Sequence, residues 1–371
     1  MTRGFSRYLD GLRVLAAFTV FASHFAYARF SGGAYLWIRE LNLGSDAVVL
    51  FFVLSGFIMA FTAETKDKTL GAFAFSRATR VYSVALPALA VTFALDSVGS
   101  RLNPSDYAGW WYDGDRWGLR LSTALTFTNE LWFSHLRPGT NGPYWSLTYE
   151  VWYYAIFAVL FYSPRRKWLL AFLLALATGP KPLLLAPAFA LGVWVHRRAT
   201  QEPRLGVPLA TLFVSGGPLL YALFLAADVP SELKRITTEL LGEAAVSKLA
   251  FSDEFIWNDV IAGLVAMHLV GVQALLERPR ADTAITAPWR ERAGAFVHSL
   301  SGGTFSLYLV HYPVMQFLAS VLPGRPECLS RQVALAGGAL LLCFGFAALF
   351  ERTLPELRAA LRKRVWRVAE P

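Results

Sequence analysis

Eight apolar stretches of spanning length, near residues 8–28, 44–63, 79–98, 145–163, 205–227, 254–276, 303–322 and 332–351, constrain this chain more than any motif in it. A bilayer core takes about 20 helical residues to cross, and a helix satisfies its backbone polar groups within one segment, as lipid demands. The expected fold is therefore all-α, a polytopic bundle of transmembrane helices. Composition agrees, with 55% of the 371 residues hydrophobic and 16% charged, against roughly 45–50% apolar usage in soluble domains. The 12 Trp, 28 Phe and 14 Tyr suit a protein whose rings gather at the two membrane interfaces.

A ninth stretch, 166–197, is interrupted by Gly179-Pro180-Lys181-Pro182. Folded as a hairpin, it raises the total to about ten spans. Positive charge on flanking loops accumulates at the cytoplasmic side. Ten spans gather Arg3, Arg7, Lys66, Arg77, Arg80, Arg165, Arg197, Arg278 and the tail arginines there, and leave a smaller set outside, including Arg29, Arg39 and Lys181. Taking 166–197 as one span would instead put the basic tail outside. The expectation is one membrane domain over 1–371 with both termini cytoplasmic, an extracytoplasmic loop at about 97–144 and a basic cytoplasmic tail at 352–371. Arg3 and Arg7, followed by an apolar run ending Ala26-Tyr27-Ala28, imitate a secretory signal, but the many later spans favour an uncleaved first helix.

The formal charge of +9 thus belongs to topology rather than to nucleic acid, for which no motif is present. Cys328 and Cys343 make neither a disulfide framework nor a metal spacing. No metal and no permanently bound cofactor is expected.

Ionisable residues inside spans are costly and usually face a cavity or a partner. Arg13 and His24 lie eleven residues apart in the first span, which places them on one face with an axial offset of about 16 Å. Asp10 lies about 40° from that line, and Ala17 and Val20 fill it with small groups, leaving a lane for a slender ligand. The plain alternatives are a snorkelling Arg13 and a packing His24. A neutral His24 suits removal of a proton from a hydroxyl. Arg77 and Arg80, at i and i+3 in FSRATRVY, are either topological charges or an anion clamp that matches phosphate oxygens.

Glu150 stands about one turn into its span. It either favours the helix N-terminus, or orients a histidine or binds a hydroxyl together with Tyr153 and Tyr154. His311, with Tyr308 one turn before it, reads more readily as core than as catalytic. Trp110 and Trp111, among Asp106, Asp113 and Asp115, are interfacial rings or a sugar-stacking platform. Ser55, beside Gly56, reads as helix packing. His135, His196 and His298 read as interfacial, and Asp259 and His268 are 180° out of phase.

Taken in order, RYLDGLRVLAAFTVFASHF, FFVLSGFIMAF, FSRATRVY, WSLTYEVWYY and SLYLVHYPV resemble the acyltransferase-3 family of bacterial integral membrane proteins over about residues 5–350. The resemblance implies a multi-pass protein of the inner (plasma) membrane, serving envelope-polysaccharide synthesis machinery. It also implies transfer of an acyl group, often acetyl or succinyl, from acyl-CoA to a hydroxyl of a surface or secreted carbohydrate or glycolipid. The family's Arg-x10-His falls on Arg13 and His24, its R-x-x-R on Arg77 and Arg80, and its W-S-L-x-x-E on Trp145, Ser146, Leu147 and Glu150. Tyr82-Ser83 departs from the proline-bearing continuation usual after R-x-x-R.

On that footing Arg77 and Arg80 hold the phosphates of acyl-CoA, most simply acetyl-CoA, and the pantetheine arm follows the lane from Arg13 to His24. His24, oriented by Glu150 or Asp10, is the general base, and the oxyanion is stabilised by Arg13, another buried donor or a backbone N–H. Asp10, Tyr154, His311, Trp110 and Trp111 are weaker candidates for substrate contact. The competing class is a proton- or ion-coupled transporter of a small anionic or sugar-like solute, although the internal repeats of such transporters are not visible. A catalytically inactive scaffold is the third.

Overall fold

The structure, a computed structural model, describes residues 1–112, 114–199, 205–278 and 288–367; Asp113 of the long loop lies outside them. The described residues contain helices and no strand. Helix α1 (Arg3–Phe25) begins where the Thr2 side chain accepts the Phe5 N–H, an N-cap. Two short helices, α2 (Ala28–Ser31) and α3 (Trp37–Glu40), lead into α4 (Leu43–Thr65). Thr69 caps α5 (Leu70–Leu102) through the Ala72 N–H at 3.2 Å. After α6 (Trp117–Leu125) come α7 (Tyr144–Tyr162), α8 (Lys167–Thr178), α9 (Pro180–Ala199), α10 (Val207–Ala226), α11 (Val229–Leu241) and α12 (Glu243–Leu249). The chain continues through α13 (Phe255–Leu276), α14 (Pro288–Ser301), α15 (Thr304–Val321), α16 (Leu329–Phe350) and α17 (Leu354–Arg367).

Among the described residues, five helical segments are long and apolar enough to cross a membrane: Leu43–Thr65, Leu70–Leu102, Val207–Ala226, Glu243–Leu276 and Leu329–Lys363. The stretch 166–197 breaks at the expected place, because Gly179 takes φ +81° and Pro180 opens α9, a conformation that glycine adopts freely and a position that suits proline. Its first arm is short, however. The 12 residues of α8 extend about 18 Å, less than a hydrocarbon core.

The long loop is tied into the bundle rather than standing clear of it. Asp96 of α5 accepts hydrogen bonds from the Thr140 N–H and hydroxyl at 2.8 and 2.6 Å. Asn141 donates to Thr92 Oγ1 at 3.1 Å and to the Leu309 carbonyl at 2.9 Å. All of these side chains are buried, as buried polar groups with partners can be. The segment before α7 is thereby held between α5 and α15, and α7 starts within the protein interior.

At the centre, α4 crosses α9 and α1. A Cβ on Gly56 would come within 1.9 Å of the Phe189 carbonyl oxygen, and one on Gly192 within 1.9 Å of the Val53 carbonyl oxygen. The backbones approach that closely only because neither residue has a side chain, the small-residue packing expected between membrane helices. Gly192→Ala is therefore expected to cost about 1–3 kcal/mol, seen as a lower Tm in detergent. An unchanged Tm would mean that the crossing can open without loss.

Candidate active site

One cavity of about 350 Å³ runs between α1, α4, α5, α7 and α15. Arg13, Lys66, Arg77, Arg80 and Arg358 line it, whereas Glu150 is the one carboxylate among its described lining residues. Five cations against one anion give it a positive field, which attracts anions. Arg77 donates to Asp67 at 3.3 Å and to Ser76 Oγ at 2.9 Å, but its Nε is buried without a partner among the described residues. An orphaned buried donor is costly, and a bound oxyanion would satisfy it.

Deeper in the cavity, Glu150 Oε1 accepts hydrogen bonds from Ser55 Oγ at 2.5 Å and from the Tyr154 hydroxyl. Beyond them, Tyr308 Oη and Ser146 Oγ are 2.6 Å apart. The expected lane along α1 is closed, since Ala17 and Val20 are each 1% exposed and packed into the core. The cavity is lined mainly by α4, α7 and α15 instead.

His24 and His311 meet across α1 and α15. His311 Nδ1 lies 2.8 Å from the Leu307 carbonyl, and His311 Nε2 lies 2.9 Å from His24 Nδ1. A carbonyl only accepts, so with both rings neutral the proton of His311 sits on Nδ1 and its Nε2 accepts from His24 Nδ1–H. That arrangement leaves the lone pair on His24 Nε2, the form a general base requires. His311 is fully buried, with Tyr308 one turn before it on α15.

Around His24 stand Tyr27, with ring centroids 6.2 Å apart, and Tyr312 at 5.0 Å. Trp110, 63% exposed, packs edge-on to Tyr27 at 5.7 Å, so the loop tryptophans do reach the histidine end. The Arg29 guanidinium sits 4.3 Å from the Trp111 ring and donates to Gln316 Oε1 at 3.0 Å and to the Tyr312 hydroxyl. Burial lowers the pKa of Arg29 from its ordinary value, yet a guanidinium stays charged, so the ring cluster carries a fixed cation.

Two expected partnerships of His24 do not form. Asp10 is turned to His298 Nδ1 at 2.8 Å and to Arg13 at 3.9 Å, and Glu150 is engaged with Ser55 and Tyr154. Tyr153 is directed elsewhere, donating to the Pro182 carbonyl at 2.5 Å. Ser55 is not merely a packing residue, because its hydroxyl holds Glu150; of the Ser55-Gly56 pair, Gly56 provides the close helix approach, opposite Gly192. Arg13 keeps company with Arg77 and Arg80 rather than with His24, because α1 is helical throughout and holds the two about 16 Å apart.

A model of the acyltransferase-3 family, described as an acyltransferase domain, matches residues 6–350. The chain belongs to that family. Acyltransferase MdmB of Streptomyces mycarofaciens is 28% identical over 343 residues, which cover 90% of this chain and 85% of the relative. No solved structure matches it.

For a membrane acyltransferase the arrangement has a plain chemical sense: a cation-lined cavity at one end of α1 and a polarised imidazole pair at the other. Lys66 and Arg358 in the cavity and Arg29 and Tyr312 at the histidine end were not marked as site residues by the sequence. Ser146 lay inside the W-S-L-x-x-E segment, and Tyr308 was visible one turn before His311. Nothing local marked Arg358, one basic residue in a basic tail.

Proposed function

We propose that this acyltransferase takes the acyl group of acyl-CoA, most simply acetyl-CoA, and delivers it to a hydroxyl of a surface or secreted carbohydrate or glycolipid. The donor's phosphates lie on Arg77, Arg80 and the neighbouring cations, and its thioester arm runs past Glu150, Ser55 and Tyr154 toward Tyr308. His24 Nε2 takes the proton of the acceptor hydroxyl as its oxygen attacks the thioester carbon. The C–S bond breaks, and the thiolate leaves as the free thiol after taking a proton. Tyr308 or Ser146 supplies a hydroxyl to the developing oxyanion, while Arg13, about 16 Å along α1 from His24, serves the anionic end of the donor. Trp110, Trp111 and Tyr27 offer ring faces to the acceptor.

The observation that carries this reading is the placement of a cation-lined cavity and the His24–His311 pair toward two ends of one helix. Charge at the cavity end favours a cytoplasmic mouth, which puts His24 toward the outer face. With α8 and α9 as a re-entrant or spanning pair, about ten membrane passages and cytoplasmic termini fit the inner membrane.

Purified protein in nanodiscs, given labelled acetyl-CoA and a crude lipid and polysaccharide extract, is expected to release CoA and label an acceptor. Arg77→Gln/Arg80→Gln is expected to raise the donor KM by about 100-fold, from two lost charge-assisted contacts. No thioester consumption and no CoA binding by the wild type would return the protein to the transporter class.

A further inference from the structure

We infer that Arg358, on the C-terminal helix α17, is a phosphate-binding residue of the donor site, so that α17 forms part of the site for a thioester donor bearing a separately phosphorylated nucleotide. The inference rests on the reading of the cavity as the donor site.

Arg358 lines the cavity with Arg13, Lys66, Arg77 and Arg80, although it follows the last long apolar helix. Its Nε donates to Thr79 Oγ1 at 2.9 Å, and its Nη2 donates to the Ser76 carbonyl at 2.6 Å. Those two bonds fix one edge of the guanidinium on the first turns of α5 and leave Nη1 without a hydrogen bond among the described residues. One turn further on, the Arg362 guanidinium lies 5.6 Å from the Phe75 ring. The tail helix is thus laid along the start of α5 by two arginines spaced i and i+4.

Arg77, Arg80 and Arg362 all bear electrostatically on Arg358, whereas its neighbouring carboxylate, Asp67, is already paired with Arg77. Crowding like charges around one opening is unfavourable until an anion enters. The orphaned Nε of Arg77 faces the same need. Arg77 and Arg80, on one helix face, suit the adjacent groups of a diphosphate. Arg358 comes from a different element and suits a phosphate placed elsewhere on the nucleotide, as the 3′-phosphate of CoA is.

Calorimetric titration of the full-length protein in nanodiscs with CoA and with 3′-dephospho-CoA tests this. The wild type is expected to bind CoA at least about tenfold more tightly, one charge-assisted contact's worth. In Arg358→Gln that preference collapses through weaker CoA binding, whereas Arg358→Lys, which keeps the charge, retains most of it. A folded Arg358→Gln with an undiminished preference would overturn the assignment and leave Arg358 as a tie between α17 and α5. Equal binding of the two nucleotides by the wild type would overturn it without any variant and leave the donor reading standing. Binding of neither would remove the donor reading itself.

Discussion

His24→Ala is expected to slow acyl transfer by about 10²–10⁴-fold, the usual contribution of a positioned general base, while CoA affinity stays close to wild type. The split follows from the geometry. On the proposed reading CoA sits at the cation-lined end, about 16 Å along α1 from position 24, so loss of the imidazole would remove the proton acceptor without touching the phosphate contacts. His311→Ala should give a smaller loss with the same sign. It leaves the base in place but removes the acceptor at 2.9 Å that holds the proton on His24 Nδ1. Initial rates of CoA release, paired with calorimetric CoA binding, read both quantities. Turnover within threefold of wild type in a folded His24→Ala protein would keep the enzyme and discard this residue as its base.

The largest expected effect on stability lies away from the site. Lys181, fully buried in the first turn of α9, donates to Glu130 Oε2 at 2.8 Å and to the Ser134 carbonyl at 2.6 Å, and Glu130 is itself only 1% exposed. His135 Nδ1 lies 2.8 Å from the other carboxylate oxygen. The pair closes the loop before α7 onto the kink at Gly179, where the Trp132 N–H donates to the Thr178 carbonyl at 3.0 Å. Lys181→Met leaves a buried carboxylate with a partly exposed histidine as its remaining ionisable neighbour, and is expected to cost about 3–5 kcal/mol. Adding Glu130→Gln should restore most of the loss, since an apolar or neutral pair often substitutes for a buried ion pair. Thermal unfolding in detergent distinguishes the outcomes: equal Tm values for wild type and Lys181→Met would show that the pair contributes nothing to the fold. Lys181, counted from sequence among the charges of the outer side, is held as a buried structural cation.

Local spacing and long-range docking divide along the same line elsewhere in the chain. Helical segments, the glycine-proline break at 179–180 and the spacing of Arg13, His24, Arg77, Arg80 and Glu150 along their own helices were legible in the chain. Rise and rotation per residue are local properties, fixed within a few turns by backbone hydrogen bonding. The family could also be read, because its motifs keep their order along the chain. The lane along α1 could not be judged in the same way, as an empty stripe on one helix is either a channel or a seat for a neighbour; here the neighbours fill it.

Contacts between helices depend on how α4 settles against α9 at Gly56 and Gly192, and on how the loop before α7 folds back through Asp96 and Asn141. No periodicity encodes such docking. His24 meets His311 across 287 positions, Ser55 meets Glu150 across 95, and Arg358 reaches Ser76 across 282. The sequence by itself therefore determined a membrane acyltransferase and where its ionisable residues stand along their own helices. Only the tertiary structure decided which of them lie together, because proximity between distant segments arises from packing, and packing is settled by the whole bundle at once.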